Sequence, residues 1–547
     1  MSYAYLFLYS SMVSIFTGTA YFIATLKWFP IREMLRSFSV DLLIFALLLL
    51  LPAKITRAAI LALFVPLLLL SFTSVEHVAI YKSGISSFSV ISTLETSANE
   101  AAEFLFEFVT LPNVISGALV VVIAVFLLLK TISANSRIAR NRMTSVVALL
   151  IIGVCVYVIA IKGHSLLNSN SSYVVINGMS SYSRDLQLVN KIKSTRSGQI
   201  YSGIQVLDDD PAAEKIYIFI IGESANRNHM SLYGYGRETT PELKKLATRL
   251  YVFNDVASAS THTIPSLRKA LFFHHDIAVD SHQILDSRSI VGLLGRAGFD
   301  TWWLSNQTAN SDGLTGTALF AEDADHKIFL NKSRSEGHSI SYDQVLLDEL
   351  EKILRAKTPR KAIFVHLLGS HLSYHLRYPK EFDVFTSTTD IPDAQHRNSG
   401  DKIYINQYDN SILYTDYVVS RIIGMTEKRN KIALVVYFSD HGQEVYDSLP
   451  IRGQDAMHPT RNMFDVPFIL WMSGEYLRIN PELAGRAAER VDIPFSLSWF
   501  ADTAADLARV RFDGVTAEHS LFAPHYHPPA KREIPYGGDY DTLPPLE

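Results

Sequence analysis

The stretch IYIFIIGESANRNHMSLYGYGRETTP, from Ile216 to Pro241, decides the fold of this chain. Its first six residues are apolar without alternation and rich in β-branched and aromatic side chains. That pattern predicts a strand covered on both faces, ended by Gly222. Glu223 follows at the strand's carboxyl end, where ligands of open α/β sheets gather. Runs of the same kind recur at Phe299 to Leu304, Ala362 to Leu367 and Ile432 to Phe438, separated by helix-length segments, so an α/β sandwich is expected. Each run ends in polar chemistry: SNQ at Ser305 to Gln307, GSH at Gly369 to His371, SDHG at Ser439 to Gly442. A lone Asp-His pair in a loop is ordinarily a hydrogen-bonded turn, but four polar strand ends in one sheet describe a site.

A second element of that site is read in ASASTHTIPSLRKALFF, from Ala257 to Phe273, where a loop of small residues gives way to an amphipathic helix. With Pro265 inside the first turn, Thr263 is placed as the N-cap. The same position would hold a threonine alkoxide at the positive end of the helix dipole, beside a cation, and so make it a nucleophile at neutral pH. Ser258, Ser260 and Thr261 are rivals that spacing alone leaves open.

Around this core the chain divides into halves of different character. Its 547 residues exceed one ordinary domain, and the apolar content is concentrated before Lys162. A net charge of −4 carries no footprint for nucleic acid. The single cysteine, Cys155, excludes a disulfide framework and a Cys-based metal site, so any metal must use His and carboxylates.

Apolar segments at Tyr3 to Leu26, Leu42 to Ala53, Ala58 to Ser74, Val114 to Leu129 and Ser145 to Ile161 predict five membrane spans, the second of them short. Lys130, Arg137, Arg140 and Arg142 mark a cytoplasmic loop between the fourth and fifth, which sends everything after Lys162 outside; Lys54 and Arg57 agree, whereas Lys27, Arg32 and Arg36 do not. The expected organisation is a transmembrane domain over 1–162, a Ser/Asn/Gly-rich connector over 163–210 that ends at Asp208-Asp209-Asp210-Pro211, and a globular domain over 211–547. Between Val75 and Pro112, helical spacing of Leu94, Ala98, Ala101, Leu105 and Phe108 predicts one amphipathic helix at the membrane interface.

Taken together, GES at Gly222 to Ser224, SLYGYGRETTPEL at Ser231 to Leu243, THTIPSL at Thr261 to Leu267, GSH, YDNSILYTD at Tyr408 to Asp416, and SDHG resemble the membrane-bound phosphoethanolamine transferases of the alkaline phosphatase and sulfatase superfamily. The segment His458-Pro459-Thr460-Arg461-Asn462-Met463 looks most like the branch that modifies the lipopolysaccharide core. The resemblance implies a sulfatase-like catalytic domain in the periplasm, anchored to a bacterial inner membrane by several helices. It implies zinc held by Glu223, Thr263, Asp440 and His441, with Thr263 also the nucleophile and His371 at the substrate phosphate. The implied donor is phosphatidylethanolamine. The acceptor is a lipopolysaccharide core sugar phosphate, lipid A or another periplasmic glycan, and the chain is expected to act as a monomer. Where several family members carry a histidine before a late Val-Pro, this sequence has Asp465 before Val466-Pro467; His458, seven residues earlier, is the candidate substitute with an acid–base role.

Two alternatives are compatible with the same features. A phosphoglycerol transferase of the superfamily would use phosphatidylglycerol, and a non-catalytic membrane sensor would keep the sheet but not the metal positions. A sulfatase is disfavoured because no C/S-x-P-x-R motif stands at the nucleophile.

Overall fold

The structure, a computed structural model of the full chain, describes residues 1–25, 31–96, 98–167, 170–195, 201–207, 213–273, 288–308, 319–331, 341–394 and 397–546. The chain forms two compact units, Met1–Thr96 with Ala101–Arg184, and Ser97–Glu100 with Asp185–Glu547. Helix Arg142–Leu167 runs across Lys162, and helix Ser171–Thr195 occupies most of the expected connector. Asp208 to Pro211, its expected end, lies outside the described residues, as does Lys27.

The first unit is helical. Among the described residues, Ala53–Tyr81, Leu111–Asn135 and Arg142–Ile161 are long and apolar enough to cross a membrane. Ser2–Ser10 and Met12–Thr25 make a fourth if taken as one span, bent by 69° at Ser11. The expected second span is the shorter apolar helix Ser37–Leu50. Leu119, Val122 and Leu129 on one long helix, and Leu149, Leu150 and Val154 on the next, are more than half exposed, an apolar surface that a water-facing bundle would not carry. Arg140 closes the turn before the last of these helices by donating to Leu51 O at 2.8 Å, Asn135 Oδ1 at 2.6 Å and Thr56 Oγ1 at 3.1 Å. The expected single amphipathic helix is two, Ser87–Glu95 and Ala98–Phe108, and Leu105 is exposed. Helical spacing alone does not show where a helix stops, and Thr96 is extended.

The second unit is built on seven strands: β1 (Lys215–Gly222), β2 (Leu250–Val252), β3 (Asp300–Thr308), β4 (His326–Asn331), β5 (Arg360–His366), β6 (Ile432–Ser439) and β7 (Phe468–Met472). Their order is β2-β7-β6-β1-β5-β3-β4, and β7 alone runs against the rest. β1 is central and fully buried, as its unbroken apolar run predicts. Tyr217, Phe219 and Ile221 enter one core with Phe364 and Trp303; Ile216, Ile218 and Ile220 enter the other with helix Asp401–Glu427. The period-two alternation of a strand thus supplies both layers. One expectation is corrected here: SNQ does not lie beyond a strand, because β3 continues through Thr308. Asn306 Nδ2 donates to Asp343 at 2.9 Å and Gln307 Nε2 to Leu367 O at 2.9 Å, so these amides buttress the end of β5.

The SLYGYGRETTP segment packs on the YDNSILYTD segment of helix Asp401–Glu427. Arg237 donates to Asp409 at 2.6 Å and Asn406 at 2.7 Å, and Tyr235 donates to Asp409 at 3.0 Å. His229 lies between Asp409 at 2.7 Å and Asp447 at 3.1 Å. Pro241 opens the short helix Pro241–Lys245, and Asp416 accepts from the free N–H groups of Glu242 and Leu243, both at 2.8 Å. Asp409 is fully buried and Arg237 nearly so. Removing one partner of such a pair leaves an uncompensated charge, and Arg237→Ala is expected to cost about 3–5 kcal/mol, read as a large fall in the unfolding midpoint of the purified protein. Burial opposes the charge on His229, but Asp447 and Asp409 outweigh it and raise its pKa from 6.5 to about 10. The stability this gives is fully present below pH about 6.5 and is lost as pH rises toward about 10. Thermal scans between pH 7 and 10 should show that loss in the parent protein and a flatter profile in His229→Gln.

Candidate metal centre and nucleophile

Register builds the centre. Gly222 pairs with Ser439 across the parallel β1 and β6, so the next residues, Glu223 and Asp440-His441, leave the sheet side by side. Glu223, Asp440 and His441 are buried, and one donor atom from each lies within 4.8 Å of the other two. Ser224 turns the chain after Glu223 with φ of 59°, a conformation a non-glycine residue adopts only under constraint. The constraint is visible: Ser224 N donates to Asp440 Oδ1 at 3.1 Å, Ala225 N to Ser439 Oγ at 2.8 Å and Asn226 N to Tyr408 OH at 2.8 Å, while Tyr408 OH donates to Ser224 O at 2.7 Å.

Thr263 joins this group from another element. Helix Thr263–Leu271 begins at Thr263, and its N-cap is His262, so the expected capping position is off by one residue. The Thr263 hydroxyl therefore caps no helix N–H; it donates to Glu223 Oε2 at 3.0 Å and lies 3.3 Å from His441 Nε2. One turn on, Ser266 Oγ donates to Asp440 O at 2.5 Å and pins the helix to the strand end. Of the rival hydroxyls, Ser258 donates to Ser260 O and Thr261 bonds to His262 Nδ1.

Charge is concentrated here. Burial by itself would raise Glu223, but the hydrogen bond and charge of His441, the charge of His371 and the Ser224 hydroxyl hold it well below the usual carboxylate range. Burial and the charge of Glu223 push Asp440 up to about 7. Burial opposes protonation of His441, while Asp440 and Glu223 raise it to about 9. His441 Nδ1 bonds to Gly442 O at 2.8 Å; a carbonyl only accepts, so this nitrogen carries a proton and Nε2 faces the carboxylates. Asp440 Oδ2 is buried and without a hydrogen-bond partner among the described residues. Two carboxylates and an imidazole, with one oxygen unspent, fit a divalent cation of borderline softness such as zinc.

The other sequence candidates are placed differently. His371 follows the Gly369 turn; its Nδ1 is buried and unbonded among the described residues, and its charge is felt at Glu223. His458 bonds to Asp455 Oδ2 at 3.1 Å with 59% of its side chain exposed. Gln454, on the same loop, does reach inward, to 3.5 Å from both Ser224 Oγ and His441 Nδ1. Asp465 is spent on Arg227 at 2.9 Å, Asn228 at 2.9 Å and Tyr540 at 2.5 Å. Sequence reasoning does not assign roles to Ser224, Ser266, Tyr408 or Gln454; Ser224, Ser266 and Tyr408 lie in the GES, THTIPSL and YDNSILYTD motifs, and Gln454 lies in none.

Similarity to known proteins follows this geometry. The sulfatase family profile matches residues 215–510. Phosphoethanolamine transferase EptC of Escherichia coli (strain K12) is 30% identical over 501 residues, which cover 87% of this chain and 85% of that protein. The chain belongs to the phosphoethanolamine transferases of the sulfatase family. Kdo(2)-lipid A phosphoethanolamine 7''-transferase of the same organism is 31% identical over 285 residues, 50% of this chain and 46% of that protein. Among solved structures, the C-terminal periplasmic domain of EptC from Escherichia coli, in complex with Zn, superposes with a TM-score of 0.58 at 34% identity, over 63% of this chain and 97% of that one.

Gly369 tests how tightly the centre is held. Its φ is 53°, and a Cβ there would lie 2.7 Å from Glu223 O and 2.9 Å from Glu223 N. Gly369→Ala is therefore expected to displace Glu223 and weaken zinc binding by about 10–100-fold, read by calorimetric titration, with the far-ultraviolet dichroism unchanged.

Proposed function

We propose that the chain transfers phosphoethanolamine from phosphatidylethanolamine to a lipopolysaccharide acceptor, a core sugar phosphate or lipid A, through a covalent ester on Thr263. The observation that carries this reading is the Thr263 hydroxyl lying 3.0 Å from Glu223 Oε2 and 3.3 Å from His441 Nε2, within the buried donor group. The zinc-bound EptC domain and the lipid A transferase among its relatives support the metal and the acceptor class.

The reaction is two displacements at phosphorus. Thr263 Oγ1 attacks the donor phosphate, the bond to the diacylglycerol oxygen breaks, and that oxygen leaves with a proton. An oxygen of the acceptor then attacks the same phosphorus, and the bond to Thr263 breaks. Zinc held by Glu223, Asp440, His441 and Thr263 would supply a lowered hydroxyl pKa and compensation of phosphoryl charge when bound. Thr263 stands at the first position of its helix, where free N–H groups and the dipole favour negative charge. His371 takes the role of protonating the leaving oxygen, and His458, on the loop of Gln454, the acid–base role toward the acceptor. The apolar helices of the first unit suit an inner-membrane enzyme that meets a lipid donor, with the catalytic domain in the periplasm.

Incubation of the purified full-length protein with phosphatidylethanolamine should add the mass of one phosphoethanolamine to the peptide bearing Thr263. Thr263→Ala should lose that adduct and reduce transfer on the order of 10³-fold or more. Chelation should stop turnover until zinc is restored. Adduct formation with phosphatidylglycerol instead would move the reading to a phosphoglycerol transferase, and retained transfer in Thr263→Ala would remove Thr263 as nucleophile.

A further inference from the structure

A cavity of about 440 Å³ lies between the segment that follows β5 and the first turns of helix Asp401–Glu427. That volume is in the range of sites that seat small ligands. Its lining joins the three rings of Tyr342, Tyr378 and Phe385 to two amides, Asn406 and Gln407, and to the charged and titratable groups Lys380, Asp383 and His375, the Asp383 carboxylate already accepting from Tyr378 and Asn410. None of these residues belongs to the metal centre.

The amides are the informative part. Asn406 Oδ1 accepts from Arg237 at 2.7 Å, which leaves the Asn406 NH₂ as the group able to donate to a ligand. Gln407 Oε1 is buried and accepts no hydrogen bond from any described residue. Adjacent residues thus offer one donor and one unsatisfied acceptor, and a hydroxyl group can serve both. An apolar ligand would leave Gln407 Oε1 unpaired, and inorganic phosphate would leave the three rings uncovered. A sugar meets both demands, with C–H faces for the rings and hydroxyls for the amides, and a phosphate on it would pair with Lys380.

Position links this cavity to the chemistry. Gln407 precedes Tyr408, whose hydroxyl donates to Ser224 O at 2.7 Å and accepts from Asn226 N at 2.8 Å, on the turn that follows Glu223. The far wall comes from the segment that starts with Gly369 and His371. Both features therefore share the rim at the carboxyl end of β1 and β5.

We propose that this cavity is the acceptor site and seats a phosphorylated saccharide while its reacting oxygen reaches the ester on Thr263. The inference rests on the transfer reading above and adds residues that act only in its second displacement. Gln407 and Lys380 hold acceptor and take no part in opening the donor lipid.

The test uses the full-length protein in detergent micelles and two variants, Gln407→Leu and Lys380→Ala, each first checked for an unchanged unfolding midpoint. Single-turnover release of acyl-labelled diacylglycerol from phosphatidylethanolamine should stay within about twofold of the parent. The half-saturating concentration of rough-type lipopolysaccharide should rise tenfold or more. Calorimetric titration of delipidated core oligosaccharide and of de-acylated lipid A saccharide onto the parent protein should show binding of at least one, weakened tenfold or more in Gln407→Leu, and the one that binds names the source of the sugar. Saccharide binding that depends on Gln407 supports the cavity even if no diacylglycerol is released, which would count against the transfer reading alone. An unchanged half-saturation in both variants, an equal fall of release and transfer, or no saccharide binding by the parent protein overturns the assignment.

Discussion

The in-register ending of two parallel strands is the constraint on which the rest of the second unit depends. Because Gly222 and Ser439 are partners, the residues after them leave the sheet together, and two carboxylates and an imidazole are forced into a few ångströms. Such a group repels itself unless positive charge or protons are held within it. The opposite displacements of Glu223 and Asp440 record that conflict, Glu223 kept ionised by His441 and Asp440 pushed up by burial and by Glu223. Such an arrangement costs stability when empty, and its donor set fits a cation held among the three side chains.

Holding the conflict in place takes support from three directions. Ser224 is bent into the left-handed region and fastened by Asp440, Ser439 and Tyr408. Gly369 approaches the Glu223 backbone so closely that no side chain fits between them. Ser266 ties the Thr263 helix to the Asp440 carbonyl. Behind these, Asp343 accepts from the N–H groups of Leu368 and Gly369 at 2.8 and 2.9 Å, and Asn306 donates to the same carboxylate, so the end of β3 braces the turn that braces Glu223.

The segment SLYGYGRETTP serves this support. Tyr233 donates to Phe468 O at 3.2 Å and accepts from Phe468 N at 3.0 Å, reaching the antiparallel strand β7, while Arg237 and Tyr235 converge on Asp409. Asp409 sits one residue from Tyr408, so the helix that receives the segment also holds the Glu223 turn. Two motifs that look independent in the chain are the two sides of one buried, charged contact. Its cost is desolvation, and its effect is to fix where the helix lies.

By itself, the sequence determined the local matters. An unbroken apolar run means a strand buried on both faces, a glycine ends it, and polar residues at several such ends mark one rim; Glu223, Asp440 and His441 were legible for that reason. So was the division into an apolar and a globular half, because hydropathy needs no partner to be read. Tertiary structure alone decided what depends on partners distant in the chain. The Thr263 hydroxyl turned out to bond to Glu223, forty residues away, and not to its own helix, which separates it from Ser258 and Thr261. SNQ read as a strand end and proved to be strand, because amide side chains that satisfy Asp343 and Leu367 O look the same in sequence as amides that meet a ligand. Nor does sequence show what holds His458 and Asp465: the first bonds to Asp455 and the second is consumed by Arg227, Asn228 and Tyr540. Periodicity reports which face of an element is buried; only the packed chain reports what that face touches.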